Sequence, residues 1–466
     1  LLHRLFENKG PWLTCVKEII KAVKGQLFGE ISLNNQVTSV EFDTRKVVTG
    51  TLFVPLKGNR DGHDFIDVAF ENGAVLTLSN RRLENKPYIL VEDTKKALQD
   101  LAKYYLDKVA PKVVGITGSN GKTTTKDMTA AVLSQSFKTY KTQGNYNNEI
   151  GLPYTILSMD LDTEMAVLEM GMDRKGDIEL LSQIGRPDVA AITIIGESHI
   201  EYLGSRQGIA EAKMEIVTGL KENGTLIVPS NEPLLKPTLE KVTQEKVLFG
   251  LEDSAAVKAD IVSESKNETT FTTTLFPNVV FSIPVLGQYN VNNALIAISV
   301  GNILGVPVEK IQTGLADFDL TKNRTEWLKT PKGIDILSDV YNANPTAMNL
   351  VLDSFSKVET KGRKLAVLGD MLELGKSSKE MHESVAKHLS PEEIDTVYLY
   401  GTEMKYLFEK LTNQFSEKNI YLFEKENKEK LIKALSNEIN PTDTIFLKGS
   451  NGMGLKEIVE HLLNNH

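Results

Sequence analysis

Apolar residues fall into short runs along this chain, and the spacing of the runs changes character twice. Up to about residue 110 brief strand-like and helix-like pieces follow one another, with a dense cluster at "EFDTRKVVTGTLFVPLKGNRDGHDFIDVAFENGA", the pattern of a small α/β unit. From Pro111 the runs "KVVGIT", "MAVLEM", "VAAITII" and "GTLIVP" alternate with helical patterns, among them "QGIAEAKMEIVTGL". Strands separated by helices predict a parallel sheet covered on both faces. Between about 245 and 286 the β-rich "TTFTTTLF" and "VVFSIPV" predict an antiparallel appendage, followed by a helix over 291–304. After "TKNRTEW" the alternation restarts with "IDILSDV", "KLAVLGD", "DTVYLYG" and "DTIFLKG", which predicts a Rossmann-like unit. The expected fold class is α/β in three domains. A small N-terminal α/β domain covers 1–111, a central mostly parallel sheet with a P-loop-like turn covers 112–320, and a Rossmann-like C-terminal domain covers 321–466. No long Gly/Ser or Pro-rich linker separates them, so short hinges are expected.

Composition narrows the function classes. A length of 466 residues suits about three domains with a core each. The formal net charge of −9 argues against broad binding to nucleic-acid phosphates, which calls for clustered Lys and Arg, but leaves small anionic ligands open. Cys15 is the only cysteine, so no disulfide within the chain and no Cys/His zinc cluster can form, as fits a reducing compartment. The longest apolar runs are far short of the roughly 18 residues of a membrane span, so a cytoplasmic protein without membrane insertion is expected.

The stretch "VVGITGSNGKTTTKDM" carries the first chemistry. The usual phosphate loop reads Gly-x-x-x-x-Gly-Lys-Ser/Thr, and Ile116 stands where its first glycine belongs. What remains, Gly118-Ser119-Asn120-Gly121-Lys122-Thr123-Thr124, lies between a predicted strand and a predicted helix. In that setting backbone N–H groups and a helix N-terminus cradle phosphate, Lys122 reaches the terminal phosphates, and Thr123 or Thr124 ligates Mg²⁺. Glu169 ends the strand "MAVLEMG" and His199 follows "VAAITIIG", so both are expected beyond the carboxyl ends of the strands, where parallel sheets bind ligands. Each alone reads first as a polar strand-end residue, and Mg²⁺ prefers oxygen to the nitrogen of His199.

Lys213 sits in the middle of the helical stripe Ile209, Ala212, Ile216, Val217 and Leu220. Either its stem packs and the ammonium reaches water, or it is a buried functional lysine with a depressed pKa or a chemical modification. Asp339 leads into Tyr341-Asn342-Ala343-Asn344-Pro345, where Asn344 and Pro345 read as N-cap and first helical residue. Capping accounts for those two but not for Tyr341 or Asn342. The late run from Gly449 to Gly454 follows a strand, lacks Gly-x-Gly-x-x-Gly spacing, and reads as a tight turn open to substrate contacts.

Together these residues resemble the Mur ligase family of peptidoglycan synthesis over nearly the whole chain. "TGSNGKTTT" resembles the family's ATP loop, "LEMG" its Mg²⁺ glutamate, and "ESHIEYLGS" its histidine segment. "GIAEAKMEI" places Lys213 where the family carries a lysine that is often carbamylated, "YNVNNALIA" puts Asn293 near the adenine, and Arg324 and Asp339 resemble nucleotide contacts of the C-terminal domain. The resemblance implies ATP and Mg²⁺, as two ions, with Lys122, Glu169, His199 and Lys213 catalytic and Thr123, Glu169, His199 and Lys213 at the metal. Within the family "DVYNANP" resembles the enzyme that adds D-alanyl-D-alanine, whereas the one adding the third amino acid typically reads Tyr-Ala-His-Thr-Pro there. "TQGNYNNEIGLP" implies substrate contacts by Asn145, Asn147 and Asn148, and the later loop implies them for Tyr341, Asn342 and Asn344. "FDTRKV" and "RDGHDFI" resemble the UDP-binding domain and implicate Thr44, Arg45, Asp61 and His63, with Thr44 where Ser is commoner. "KGSNGMG" departs from a frequent Lys-Gly-Ser-Arg and receives no role. The implied activity is ATP-dependent ligation of D-alanyl-D-alanine to UDP-N-acetylmuramoyl-tripeptide through an acyl phosphate, by a monomer. The alternatives are the ligase of the third amino acid, a folylpolyglutamate synthase-like ligase, which would lack the N-terminal domain, and a P-loop switch or motor without an amine acceptor.

Overall fold

The computed structural model describes residues 14–319, 321 and 324–466, and builds them on three main sheets. The first has five strands in the order Gln26–Phe28, Tyr88–Leu90, Ala74–Ser79, Thr51–Phe53, Ser39–Glu41, parallel except at the Gln26–Phe28 edge. Helix Thr94–Val109 leaves this sheet with Asp93 as its cap, the carboxylate accepting from the N–H groups of Lys95 and Lys96. Its buried Tyr105 donates its hydroxyl to the Met159 carbonyl at 2.7 Å, which pins the helix to the turn that follows helix Gly151–Leu157.

The second sheet has nine strands, in the order Phe276–Ile283, Glu268–Thr273, Val257–Ser265, Glu245–Gly250, Thr225–Pro229, Val189–Ile192, Lys112–Thr117, Met165–Glu169, Thr139–Lys141. Pairing is parallel from Thr139–Lys141 through Val257–Ser265, and the last three strands, Val257–Ser265, Glu268–Thr273 and Phe276–Ile283, pair antiparallel through two hairpins. The antiparallel appendage expected over about 245–286 is present as these hairpins, with one correction: strand 245–250 pairs parallel with both 225–229 and 257–265 and so continues the main sheet. Phe271 and Phe281 of the hairpin stack at 5.8 Å in the core beneath helix Gln288–Ile303, which makes the hairpin part of the sheet's own packing. Central strands are buried on both faces, as their near-continuous apolar sequences require. Strand Lys112–Thr117 has Met165–Glu169 on one side and Val189–Ile192 on the other, so the loops leaving these three carboxyl ends converge at a topological switch point.

The third sheet has six strands, in the order Glu326–Lys329, Asp335–Asp339, Thr444–Lys448, Lys364–Gly369, Thr396–Tyr400, Ile420–Phe423, parallel except for the first. The four predicted runs are all strands here. Insertion of the last strand beside the first parallel one sets Lys448 in register with Asp339. Among the described residues no helix is long and apolar enough to cross a membrane.

Candidate active site

Strand Lys112–Thr117 hands over to helix Lys122–Ser134 through Gly118–Gly121. Gly121 adopts a φ of 77°, and a Cβ there would stand 2.6 Å from Asn293 Oδ1, while one on Gly118 would stand 1.8 Å from Thr193 Oγ1. Both glycines are therefore required for the turn. The helix opens without a side-chain cap, which leaves its first N–H groups and its positive end for an anion. The Ser119 hydroxyl is buried without a protein partner among the described residues. Lys122 is half-buried and donates to the Gly118 carbonyl at 2.8 Å. Burial moves its pKa below the ordinary lysine value against the pull of Glu169, and the Arg324 charge adds to the lowering.

Beside this turn lies a cavity of about 520 Å³. Glu169 forms its buried hub: Thr123 Oγ1 donates to Oε2 at 3.0 Å and Asn147 Nδ2 to Oε1 at 2.9 Å. Thr123 and Glu169 present oxygen donors on the cavity wall, the type a hard divalent cation takes, so the residues present fit Mg²⁺. His199 is held at a φ of 64° with Nδ1 2.8 Å from Glu373 Oε2. Burial lowers its pKa, with Glu373 opposing and Lys122 reinforcing, and the ring lines the cavity. Lys213 lies on helix Arg206–Met214, which passes into a 3₁₀ turn at Glu215–Thr218 instead of running on to 220. Its side chain is 2 % exposed and lines the same cavity with no acidic partner among the described residues. Burial, and then Lys122, push its pKa well below the lysine range. A snorkelling ammonium reaches water, and this one does not.

The third sheet closes the cavity from above. Arg324 stacks its guanidinium on the Tyr341 ring at 3.9 Å, and Arg324, Tyr341, Asn342 and Asn451 all line the space. A smaller space of about 60 Å³ adjoins it, walled by Thr124, Asn293, Asp339 and Lys448 with apolar Leu350 and Val351. Asn293 is fixed there, accepting from Thr125 Oγ1 and donating to Asn290 Oδ1, each at 3.1 Å. Asp339 takes Lys448 Nζ at 2.5 Å, and the same ammonium donates to the Asn342 carbonyl at 2.9 Å.

Asn344 is the N-cap the sequence predicts, accepting from Ala347 N–H at 2.9 Å ahead of Pro345. It is buried and does not line the cavity. Its amide exchanges two hydrogen bonds with Asn120 of the glycine turn, at 3.0 and 3.1 Å, and donates to Ser198 Oγ at 2.7 Å. Glu197 accepts from the N–H and hydroxyl of Thr346, both at 2.9 Å. Glu197, Ser198, Glu373 and Lys448 were not legible as site residues, because each acquires its role from a partner far along the chain.

Of the remaining expected residues, Asn145 and Asn147 line the main cavity. Asn148 lines an adjoining space of about 300 Å³, and its Oδ1 caps helix Gly151–Leu157 by accepting from Ile150 and Gly151. Thr44 and Arg45 stand apart on the 3₁₀ turn Thr44–Lys46, and Asp61 and His63 on the 3₁₀ turn Gly62–Phe65 and its cap. Arg45 is exposed and paired with Asp43 at 2.6 Å. Asp61 accepts from the His63 N–H at 2.9 Å and lies 2.8 Å from His63 Nδ1; these bonds, the backbone one foremost, hold its pKa below the usual value.

Comparison with known proteins agrees with this architecture. The family model described as Mur ligase middle domain matches residues 116–301, and that described as Mur ligase, glutamate ligase domain matches 323–451. The UDP-N-acetylmuramoyl-tripeptide--D-alanyl-D-alanine ligase of Bacillus subtilis (strain 168) is 43% identical over 455 residues, 97% of this chain and 98% of that protein. MurF from Acinetobacter baumannii superimposes with a TM-score of 0.88 at 28% identity, covering 97% of this chain and 99% of that one. MurF ligase from Thermotoga maritima, solved in complex with ADP, gives 0.80 at 30% identity over 91% and 97%. With the three-domain α/β fold and a match that spans nearly its whole length, the chain belongs to the Mur ligase family.

Proposed function

We propose that this protein is the ATP-dependent ligase that joins D-alanyl-D-alanine to UDP-N-acetylmuramoyl-tripeptide, acting as a cytoplasmic monomer in peptidoglycan precursor synthesis. The observation that carries the reading is the delivery of "DVYNANP" to the phosphate turn: Tyr341 and Asn342 enter the cavity that Lys122 and Glu169 line. The domains assigned are 1–111, 112–320 and 321–466, a division that three separate sheets support, with the UDP end of the substrate given to Thr44, Arg45, Asp61 and His63 of the first domain.

A peptide carboxylate is a poor electrophile. Its oxygen attacks the γ-phosphorus of ATP, the bond to the β-phosphate oxygen breaks, and an acyl phosphate and ADP result. The Gly118–Gly121 turn and the helix N-terminus hold the phosphates, and Lys122 offsets charge as the phosphoryl group moves. Thr123 and Glu169 would hold Mg²⁺, which supplies Lewis-acid neutralisation of phosphate charge. The amine of D-alanyl-D-alanine then attacks the acyl carbon, loses a proton and expels inorganic phosphate, leaving the amide. Arg324, Asp339 and Asn293 face the nucleotide, and Asn145, Asn147, Tyr341 and Asn342 the acceptor and tripeptide. Lys213 is assigned a carbamate: its neutral amine adds to CO₂ and loses one proton, which turns a buried amine without an acidic partner among the described residues into an anion with two oxygen donors. A second Mg²⁺ belongs to the same assignment, with His199 the least suited ligand because its donor is nitrogen.

The acceptor is tested by incubating the enzyme with ATP, Mg²⁺ and UDP-linked muramoyl tripeptide and offering D-alanyl-D-alanine, D-alanine, L-lysine, diaminopimelate or L-glutamate. Mass spectrometry should show amide with the dipeptide at least about 10²-fold ahead in kcat/KM, since a shorter ligand misplaces either its amine or its carboxylate. Preference for lysine or diaminopimelate would make the protein the ligase of the third residue.

A further inference from the structure

A buried charge cluster on the phosphate-turn helix lies outside the roles assigned above. Lys126 and Asp127 follow one another on helix Lys122–Ser134, and each is 2 % exposed. Charges withdrawn from water are costly unless paired, and this pair has been given specific partners. Asp127 Oδ1 takes Lys141 Nζ at 2.6 Å, with Lys126 Nζ at 3.6 Å. Asp127 Oδ2 accepts from the hydroxyl of Thr321 at 2.6 Å and from its N–H at 3.3 Å. Lys126 Nζ stands 3.9 Å from Glu169 Oε2, so one ammonium lies between the carboxylate of the cavity hub and the carboxylate that holds Thr321.

Thr321 is where the chain crosses from the second sheet to the third. Three positions on, Arg324 stacks on Tyr341 in the cavity, and strand Glu326–Lys329 follows. We infer that Asp127 is a positioning residue for the nucleotide site: it anchors the crossing segment through Thr321, so that Arg324 enters the cavity at a fixed place. Through Lys126 the same carboxylate sets the charge balance beside Glu169. Two carboxylates face two ammonium groups here, and removing the Asp127 charge leaves Lys126 with Glu169 as its remaining carboxylate. The inference rests on reading the cavity as an ATP site.

Thr321→Val removes the hydroxyl donor and little else, Thr321→Ser restores it, and Asp127→Asn removes the accepting charge. ADP binding is measured by calorimetry, and the approach of the third sheet by the emission of Trp327, with Trp12→Phe as background. Trp327 suits the purpose because Lys266 Nζ, on the hairpin of the second sheet, stands 4.5 Å from its ring centroid. The expected result is a loss in ADP affinity of roughly 10-fold for Thr321→Val, the worth of one hydrogen bond to a charged group, with a shifted Trp327 emission and both recovered in Thr321→Ser. Asp127→Asn should lose more; should it fail to fold, the Thr321 pair decides alone. Wild-type ADP affinity and emission in Thr321→Val, or a lowered melting temperature with affinity unchanged, overturns the inference while the ATP reading stands. Failure of the wild-type chain itself to bind ADP overturns both.

Discussion

The tetrapeptide Gly-Ser-Asn-Gly occurs twice, at 118–121 and at 449–452, each time directly after a parallel strand, and the two copies fold differently. In the first, Gly121 is left-handed and the helix starts at once with Lys122, so bare N–H groups and an ammonium meet at one point. In the second, Asn451–Met453 makes a 3₁₀ turn, Met453 is buried in the core, and the helix waits until Leu455 after a left-handed Gly454. The serines differ: Ser450 Oγ accepts from Leu372 N–H at 2.9 Å, whereas the Ser119 hydroxyl has no protein partner among the described residues. The lysines differ likewise. Lys122 follows its turn and lines a cavity; Lys448 precedes its turn and is locked to Asp339. A glycine motif is thus specified by where the next helix begins, not by the glycines.

Exchanging the roles of the two lysines is the strongest way to break that contrast. Lys122→Ala should cut turnover by roughly 10²-fold or more with the fold intact, because it removes a group that acts on developing phosphoryl charge. Lys448→Met should instead destabilise the third sheet by about 3–5 kcal/mol, since it strands the buried Asp339 carboxylate. Steady-state kinetics and urea unfolding on both variants separate the two. Comparable unfolding midpoints for wild type and Lys448→Met would mean that this ion pair is not structural.

The charge of Lys122 also reaches Lys213, whose pKa is lowered first by burial and then by Lys122. Carbamate forms from the neutral amine, so it is lost as pH falls through the amine's pKa and gained as pH rises above it. Removing the Lys122 charge raises that pKa, and the onset of carbamate should move to higher pH in Lys122→Ala. ¹³C NMR of enzyme equilibrated with ¹³C-bicarbonate across a pH series follows this directly. A signal absent at every pH would remove the carbamate, and an unmoved onset would leave burial as the sole cause of the depressed pKa.

Much of this could be read in the chain beforehand, and what could not shares one property. The alternation of apolar runs and helices marks four strands of the central sheet and four of the third, the two β-rich runs mark the terminal hairpin of the central sheet, and Asn344-Pro345 gives its helix start to the residue. Strands 139–141, 326–329 and 420–423 carry no such run because they are short edges, and strand 245–250, inside the range of the expected appendage, continues the parallel sheet instead, because periodicity reports a strand but not its partner. Lys213 was visible as an anomaly in an apolar stripe, yet only the fold shows that it faces the cavity. Glu373 beside His199, Lys448 beside Asp339 and Asn120 against Asn344 pair residues more than 100 positions apart, and no local pattern announces such a pair.

The smallest and sharpest test concerns the last glycine of each copy. Gly121→Ala places a Cβ on a left-handed residue, which costs about 1–2 kcal/mol, and drives it against the amide of Asn293, itself held by Thr125 and Asn290 and unable to give way. The helix start must shift and ADP affinity should fall with it. Gly452 is not left-handed, and a Cβ there would meet only the Leu372 Cδ1 atom at 3.0 Å, the free end of an exposed side chain that can swing aside. Gly452→Ala should therefore stay within about 0.5 kcal/mol of wild type, with any gain arising from a less flexible unfolded chain. Urea midpoints and ADP titrations on the two variants decide the matter. Equal losses in both would mean that the shared tetrapeptide, and not the helix that follows it, sets the local structure.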